Sequence, residues 1–209
     1  YGATIEDVLT GFRFISEKID ECQRTGAHTF LFGFEESYGF LAGGFSRDKD
    51  AICAAMLAAE LCVSCAARGM TLCDALQELY QTYGCYKESV KSYTLLGKAG
   101  MEKIAAAMNA LRADPIAALA GAEVEYMEDY QTRRRTRING DGAEPLALPS
   151  SNMIRLLLSG GAWVVVRPSG TEPKLKLYIG ANAQSEVEVD ALLSRLLQAT
   201  DDRLSPMLA

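Results

Sequence analysis

The sequence predicts a mixed α/β chain in two parts, residues 1–84 and 85–209. The 209 residues are 49% hydrophobic and 23% charged, which is the composition of a globular protein long enough for one domain or two small ones. Apolar residues recur at helical spacing in some segments and alternate with polar residues in others. Most of the strand patterns lie in the second part, after Gly84.

The first part alternates helical and extended patterns. Phe12 is the predicted start of the first helix because Gly11 interrupts the apolar spacing before it. Residues 29–33 form a short apolar run that predicts a buried strand, and residues 51–68 predict a helix. That helix is apolar almost all round, so we expect it to be covered on most sides. Thr71 or Asp74 is the expected cap of the helix that follows.

The second part predicts a small sheet with helices. The expected strands are residues 87–94, 123–127, 153–158, 163–166 and 175–179, and the expected helices are residues 101–112 and 185–197. Ser159-Gly160-Gly161 predicts a hairpin turn, and Ser185 predicts an N-cap. Residues 129–149 are polar and predict a long loop or irregular hairpin, in which the basic run Arg133–Arg137 is solvated.

Composition argues against several classes of function. The net charge of −6 provides no general attraction for nucleic acid or a membrane surface, and we expect neither as a partner. The most apolar stretch, residues 51–67, contains Glu60 and is shorter than a membrane span of about 20 residues. Six cysteines and one His, without a second CxxC pair, predict buried thiols in a reducing cytoplasm and no metal site.

The start of the sequence has neither a basic segment nor an apolar segment of the kind found in a signal peptide. It also does not begin with Met, so we expect a fragment of a longer protein.

A phosphate-sized site is predicted where one strand ends and the next begins. Residues 167–174 read Arg-Pro-Ser-Gly-Thr-Glu-Pro-Lys between two strand patterns. Arg167 offers a two-pronged cation, Ser169 and Thr171 offer hydroxyls, and Gly170 allows the backbone to approach an anion closely. The same residues also suit an ordinary hairpin turn, and residue chemistry alone leaves both interpretations open.

A sugar-sized site is predicted after the apolar run of the first part. In an extended segment Glu35 and Ser37 point to one side, where a carboxylate and a hydroxyl can bind the hydroxyls of a polyol. An ordinary helix cap or ion pair is the alternative. Lys49 is a point charge that can reach a phosphate or ester oxygen, and Thr10-Gly11 is a small turn with a hydroxyl.

These motifs together resemble the phosphoglucomutase/phosphomannomutase (α-D-phosphohexomutase) family. The segments that carry the resemblance are Thr10–Arg13, Gly33–Gly39, Arg47–Asp50 and Arg167–Lys174. The segment Gly33–Gly39 looks most like the phosphoglucomutase and phosphopentomutase branch. The family has four domains around one cleft, and this sequence resembles the later part of the third (residues 1–84) and the fourth (residues 85–209). The resemblance implies a mixed-sheet α/β domain followed by a small antiparallel sheet flanked by helices.

The resemblance also implies roles for individual residues. Glu35 and Ser37 match the sugar-reading positions, and Thr10 and Lys49 match positions near the substrate. The loop that binds the non-reacting phosphate is matched by Arg167, Ser169, Gly170 and Thr171, with Lys174 at its end. The implied substrate is a hexose phosphate, interconverted between its 1- and 6-phosphates through a phosphoserine and a sugar bisphosphate.

The sequence departs from the family pattern at positions that bear on the activity expected of it. It has no phosphoserine loop and no acidic Mg²⁺ loop, so we expect Mg²⁺ and the catalytic residues to belong to N-terminal domains outside this sequence, and we expect the 209 residues alone to be inactive. Gly39 stands where some members have a His. A phosphomannomutase, a phosphopentomutase and a non-catalytic phosphosugar-binding module remain as alternatives.

Overall fold

The computed structural model describes residues 2–35, 38–170 and 172–209. The chain separates into two compact units, Tyr1–Gln77 and Glu78–Ala209. Helix α3 (Leu72–Tyr83) crosses the boundary between the two units.

The first unit contains helices and one pair of antiparallel strands. Its remaining elements are α1 (Phe12–Thr25), β1 (Phe32–Glu35), β2 (Gly39–Ala42) and α2 (Ala51–Ala67). Helix α1 begins where the sequence predicted, after Gly11 with its φ of 120°, and ends at Gly26 in the left-handed conformation. The strand expected at residues 29–33 begins later along the chain, because the observed strand is β1 at Phe32–Glu35.

A small core joins α1 to the strand pair. Phe12, Ile15 and Ile19 recur at helical spacing on one face of α1 and pack with Leu41 of β2. This packing sets β1 and β2 beside the N-terminal half of α1.

Helix α2 contradicts the expectation that it is covered on most sides. Cys65 is its one buried residue, while Ile52 is 77% exposed and Val63 is 70% exposed. The sequence of α2 is apolar on most sides, but in the described part of this unit its main contact is with strand β2. Among the described residues no single helix is long and apolar enough to cross a membrane; α2 and α3 meet that criterion of length and composition only as a pair bent by 82°.

The second unit is built around an eight-stranded antiparallel sheet. Its strands are β3 (Cys85–Thr94), β4 (Ala118–Leu119), β5 (Ala122–Asp129), β6 (Arg134–Arg137), β7 (Ala143–Pro145), β8 (Ile154–Leu158), β9 (Trp163–Pro168) and β10 (Lys174–Ala183). The order is β3-β10-β9-β8-β5-β6-β7, with β4 paired to β5. The predicted antiparallel sheet with helices is therefore confirmed.

Two helices, α4 (Gly97–Ala113) and α5 (Glu186–Leu208), pack on this sheet and on each other. Ser185 caps α5 as predicted, since its side chain accepts a hydrogen bond from the Glu188 amide. The helix continues well beyond the predicted end at residue 197. Its buried residues Leu196, Thr200 and Leu204 continue the same apolar face, which explains the greater length.

Two further expectations for buried and solvated residues were wrong. The irregular hairpin expected within residues 129–149 is formed by β6 and β7, but its basic run is not simply solvated, because Arg135 pairs with the buried carboxylate of Glu128 at 2.8 Å. Cys62 and Cys73 are exposed rather than buried. Cys62 lies on α2 and Cys73 on α3, two helices whose apolar residues are mostly exposed among the described residues, so apolar neighbours in the sequence did not imply burial.

Candidate functional site

The structure brings Glu35 and Lys49 together in the first unit. Glu35 ends β1, and its carboxylate lies 3.9 Å from the Lys49 ammonium. The Glu35 side chain is 10% exposed, whereas Lys49 is 46% exposed. The pair thus presents a nearly buried acceptor beside a half-exposed cation, which suits a ligand with both hydroxyls and negative charge.

The segment that carries Lys49 is anchored by its neighbours. The Arg47 guanidinium donates to Asp20 at 2.6 Å and to Gln23 at 2.5 Å, both on α1. The carboxylate of Asp50 caps α2 by accepting from the Cys53 amide at 2.9 Å. The backbone of Lys49 is therefore held between two residues with structural roles.

The ammonium of Lys49 has a second acidic neighbour. It donates to Asp48 at 2.9 Å, and this hydrogen bond, followed by the charges of Asp48 and Glu35, raises the pKa of Lys49. The same contact lowers the pKa of Asp48. Lys49 therefore stays protonated throughout the neutral range and can serve this site as a cation.

Thr10 precedes this site at the start of α1. It adjoins Gly11 and lies two residues before Phe12, whose ring centre is 5.5 Å from the Lys49 ammonium. The contact of Phe12 with Lys49 places the N-terminal end of α1 on the same side of the unit as the Glu35–Lys49 pair. Ser37, the fourth predicted sugar-binding residue, lies outside the described residues.

The predicted phosphate loop connects β9 to β10 in the second unit. Strand β9 carries Arg167 near its end, and the Ser169 amide donates to the Lys174 carbonyl at 2.8 Å, which closes the loop at its base. Within the described residues, the Arg167 guanidinium forms no ion pair and no hydrogen bond, so its half-buried positive charge is left for a ligand.

The other predicted loop residues differ in their surroundings. A side chain at Gly170 would meet open space, so packing in this unit does not require glycine there. Lys174 is already paired, with its ammonium 3.0 Å from the Glu172 carboxylate. Thr171 lies outside the described residues. The part of Lys174 in binding an anion stays a prediction.

Lys176 is a candidate that the sequence analysis missed. It lies directly opposite Arg167 in the antiparallel pairing of β10 with β9. Residues paired in this way point to the same face with Cβ atoms about 5 Å apart, so two like charges meet there. Lys176 forms no ion pair with any residue in the ranges 2–35, 38–170 and 172–209. The alternation Lys174, Lys176 in a strand was the available signal.

No metal site accompanies these residues. In the part of the chain that the structure describes, no three His, Cys, Asp or Glu side chains are grouped so that they could hold a metal ion. The residues present do not fit a Mg²⁺ site of oxygen ligands.

Two family models and several curated relatives match this chain. Residues 1–83 match the model of phosphoglucomutase/phosphomannomutase alpha/beta/alpha domain III, and residues 101–198 match that of the C-terminal domain of the same family. A phosphoglucomutase of Staphylococcus aureus (strain bovine RF122 / ET3-1) is 41% identical over 83% of this chain and 31% of its own length. A phosphoglucomutase of Staphylococcus haemolyticus is 39% identical over 89% of this chain and 33% of its own length. The chain spans about a third of the length of these relatives.

A solved structure supports the fold. The open form of the exocytosis-sensitive phosphoprotein pp63/parafusin, a phosphoglucomutase from Paramecium, matches with a TM-score of 0.59 at 15% identity, over 94% of this chain and 33% of its own. The two family models together match most of the sequence in the expected order. The chain therefore belongs to the phosphoglucomutase/phosphomannomutase family, as a C-terminal part that carries sequence of domain III and of the C-terminal domain.

Proposed function

We propose that this chain is the substrate-holding C-terminal part of a phosphosugar mutase that interconverts glucose 1-phosphate and glucose 6-phosphate. Arg167 and Lys176 carry the proposal, because two cations that are register partners and lack acidic partners among the described residues favour a bound dianion. Ser169, Gly170, Thr171 and Lys174 complete the loop. Together they hold the phosphate that is not being transferred.

The sugar is held by the residues of the first unit. Glu35 accepts hydrogen bonds from sugar hydroxyls, Lys49 donates to an oxygen of the sugar phosphate, and Ser37 and Thr10 add hydroxyl contacts. Charge-assisted hydrogen bonds of this kind contribute about 1.5–3 kcal/mol each when they are shielded from water. These contacts fix the orientation of the sugar, and such alignment accelerates transfer.

The phosphoryl donor is proposed to lie in another part of the longer protein. A Mg²⁺ ion in that part would stabilise the charge that spreads over the transferred phosphoryl group. The sequence has no counterpart of the family's phosphoserine loop or acidic Mg²⁺ loop, so the 209 residues alone are expected to hold substrate without turnover. In the complete enzyme the expected intermediate is a sugar bisphosphate.

The apolar surface of α2 is proposed to contact that longer protein. Ile52, Met56 and Val63 are each more than 60% exposed in the described unit. A contiguous apolar surface of this kind marks an interaction site. Since the matching relatives are about three times longer than this chain, a segment of the same polypeptide is the proposed occupant.

The test compares charge-removing variants in the full-length protein. Arg167→Ala is expected to lower kcat/KM for glucose 1-phosphate by about 100-fold, and Lys176→Ala by about tenfold, because a bidentate and a single charged contact are lost. Lys98→Ala is the matched control, since Lys98 is 91% exposed on α4. Equal kcat/KM for Arg167→Ala and Lys98→Ala contradicts the proposal. Binding of glucose 1-phosphate without turnover by the full-length protein would instead indicate the non-catalytic binding module.

A further inference from the structure

We propose that Gly39 is a positioning residue for the sugar site, because its lack of a side chain leaves the space in which Glu35 and Lys49 meet. The inference rests on the proposed function, which assigns the Glu35–Lys49 pair to the sugar phosphate. It adds a residue of β2 that touches no ligand and acts through the pair.

The space above Gly39 is occupied by both partners. Gly39 is buried and lies directly opposite Glu35 in the pairing of β2 with β1. A Cβ atom at position 39 would lie 2.7 Å from Lys49 Cδ, 2.8 Å from Glu35 Oε1 and 3.0 Å from Glu35 Cγ. All three distances are shorter than carbon and oxygen atoms tolerate without moving apart. The carboxylate and the lysine stem therefore converge on the volume that any side chain at position 39 would take.

Space, and not backbone conformation, is what requires glycine at position 39. Its φ lies outside the left-handed region, so an L-residue fits the backbone of β2 there. The atoms that a Cβ would meet belong to two long side chains that can rotate away. Alanine at position 39 is therefore expected to displace Glu35 and Lys49 without unfolding the unit.

Gly33 provides the structural contrast. It lies on the neighbouring strand β1, and its φ is also outside the left-handed region. A Cβ atom at Gly33 would lie 2.7 Å from Cγ2 of Ile15, which is buried in the core of the unit. Alanine at position 33 is therefore expected to destabilise the fold, whereas alanine at position 39 changes the site.

The direction of the displacement follows from the second partner of Lys49. Its ammonium donates to Asp48 at 2.9 Å, and the Asp48 side chain is 71% exposed. A stem pushed away from position 39 leaves the ammonium with Asp48 and increases its distance from Glu35, beyond the present 3.9 Å. The sugar site then loses one charged group while the phosphate loop of the second unit keeps all of its own.

The experiment uses the full-length enzyme and three readouts. Gly39→Ala is expected to raise KM for glucose 1-phosphate by about tenfold, the loss of one charged contact. Its inhibition constant for inorganic phosphate and its thermal midpoint should stay those of the wild type, while Gly33→Ala lowers the midpoint. In a Glu35→Ala/Lys49→Ala background, where both side chains that the new Cβ would meet are absent, Gly39→Ala should change KM by less than about twofold, because Gly39 acts through those two residues.

The outcomes separate this inference from the proposed function. An effect of Gly39→Ala on KM that persists undiminished in the Glu35→Ala/Lys49→Ala background, an unchanged KM in the single variant, or a midpoint lowered as far as that of Gly33→Ala overturns the positioning role of Gly39. If Glu35→Gln and Lys49→Ala themselves leave KM unchanged, the sugar site of the proposed function is wrong instead.

Discussion

Gly180 supports the hairpin that carries the candidate phosphate loop, and replacing it with alanine is a demanding test of the structure. Gly180 of β10 is the register partner of Trp163 of β9, and the indole lies across it. A Cβ atom at position 180 would lie 2.2 Å from Cε2 and 2.3 Å from Nε1 of Trp163. Both atoms belong to a rigid ring, so relief requires the whole indole or a strand to move.

The expected cost follows from that overlap. Forcing one extra carbon into a packed site typically destabilises a protein by about 1–3 kcal/mol. In a unit of this size each kcal/mol lowers the thermal midpoint by roughly 2–5 °C, so Gly180→Ala is expected to lower it by roughly 2–15 °C. Arg155 lies 6.0 Å above the same ring, so a displaced indole also loses that contact.

Trp163 itself reports the result. It is the one Trp of the 209-residue sequence, so the intrinsic tryptophan emission of this chain comes from it alone. Gly180→Ala should shift that emission to longer wavelength and move the urea midpoint downward. Gly140→Ala is the control, because a Cβ there meets the flexible Arg137 side chain at 3.0 Å. Emission and midpoint unchanged from the wild type in Gly180→Ala would refute the packing of Trp163 on Gly180.

Two charged clusters of the second unit give further predictions. Asp201 of α5 accepts hydrogen bonds from Lys91 at 2.6 Å and from Tyr93 at 2.7 Å, and these bonds lower its pKa. The ionised carboxylate therefore stabilises the fold above the ordinary pKa of Asp. This stabilisation is lost as the pH falls through the lowered pKa. Asp201→Asn should lower the free energy of unfolding by about 1–2 kcal/mol at pH 7 and should flatten the fall in stability at acid pH. An unchanged fall in stability at acid pH would contradict this role of the Asp201 carboxylate. Glu128 is 3% exposed and accepts hydrogen bonds from Arg135 and Tyr130. Glu128→Ala should lower the free energy of unfolding in urea by about 3 kcal/mol. The control Glu125→Ala, at an exposed neighbouring position, should lower it by less than about 0.5 kcal/mol.

Local signals in the sequence predicted the local structure well. Thr71 and Asp74 cap α3 reciprocally, with the Thr71 amide donating to the Asp74 carboxylate at 2.8 Å and the Asp74 amide donating to the Thr71 hydroxyl at 3.1 Å. Such caps involve neighbours three residues apart, so one segment contains all the information. The strands β8 and β9 were equally easy to predict, because a short turn containing Gly160 joins them.

Contacts between distant segments were not predictable in this way. The exposure of α2 depends on what packs against it, which its own apolar pattern does not record. The pairing of β6 with β5, which joins the expected irregular hairpin to the sheet, was not visible in the polar sequence of residues 129–149. The contact of Arg135 with Glu128 follows from the register of β5 and β6, which the sequence does not display.

In the candidate site, too, single residues were predictable from the sequence whereas their contacts with distant segments were not. Arg167 and the hydroxyl residues after it stood out because they lie together at the end of one strand. Lys176 was missed because its relation to Arg167 exists only in the pairing of two strands. Glu35 and Lys49 were each proposed from their residue types, but their meeting above Gly39 became visible only with coordinates.

The central claim is that the β9–β10 loop holds the phosphate that is not being transferred. A crystal structure of the full-length protein with bound glucose 1-phosphate tests it most directly. Phosphate oxygens are expected about 2.7–3.0 Å from the Arg167 guanidinium and the Lys176 ammonium. A substrate phosphate bound elsewhere, with Arg167 exposed to solvent, would contradict it.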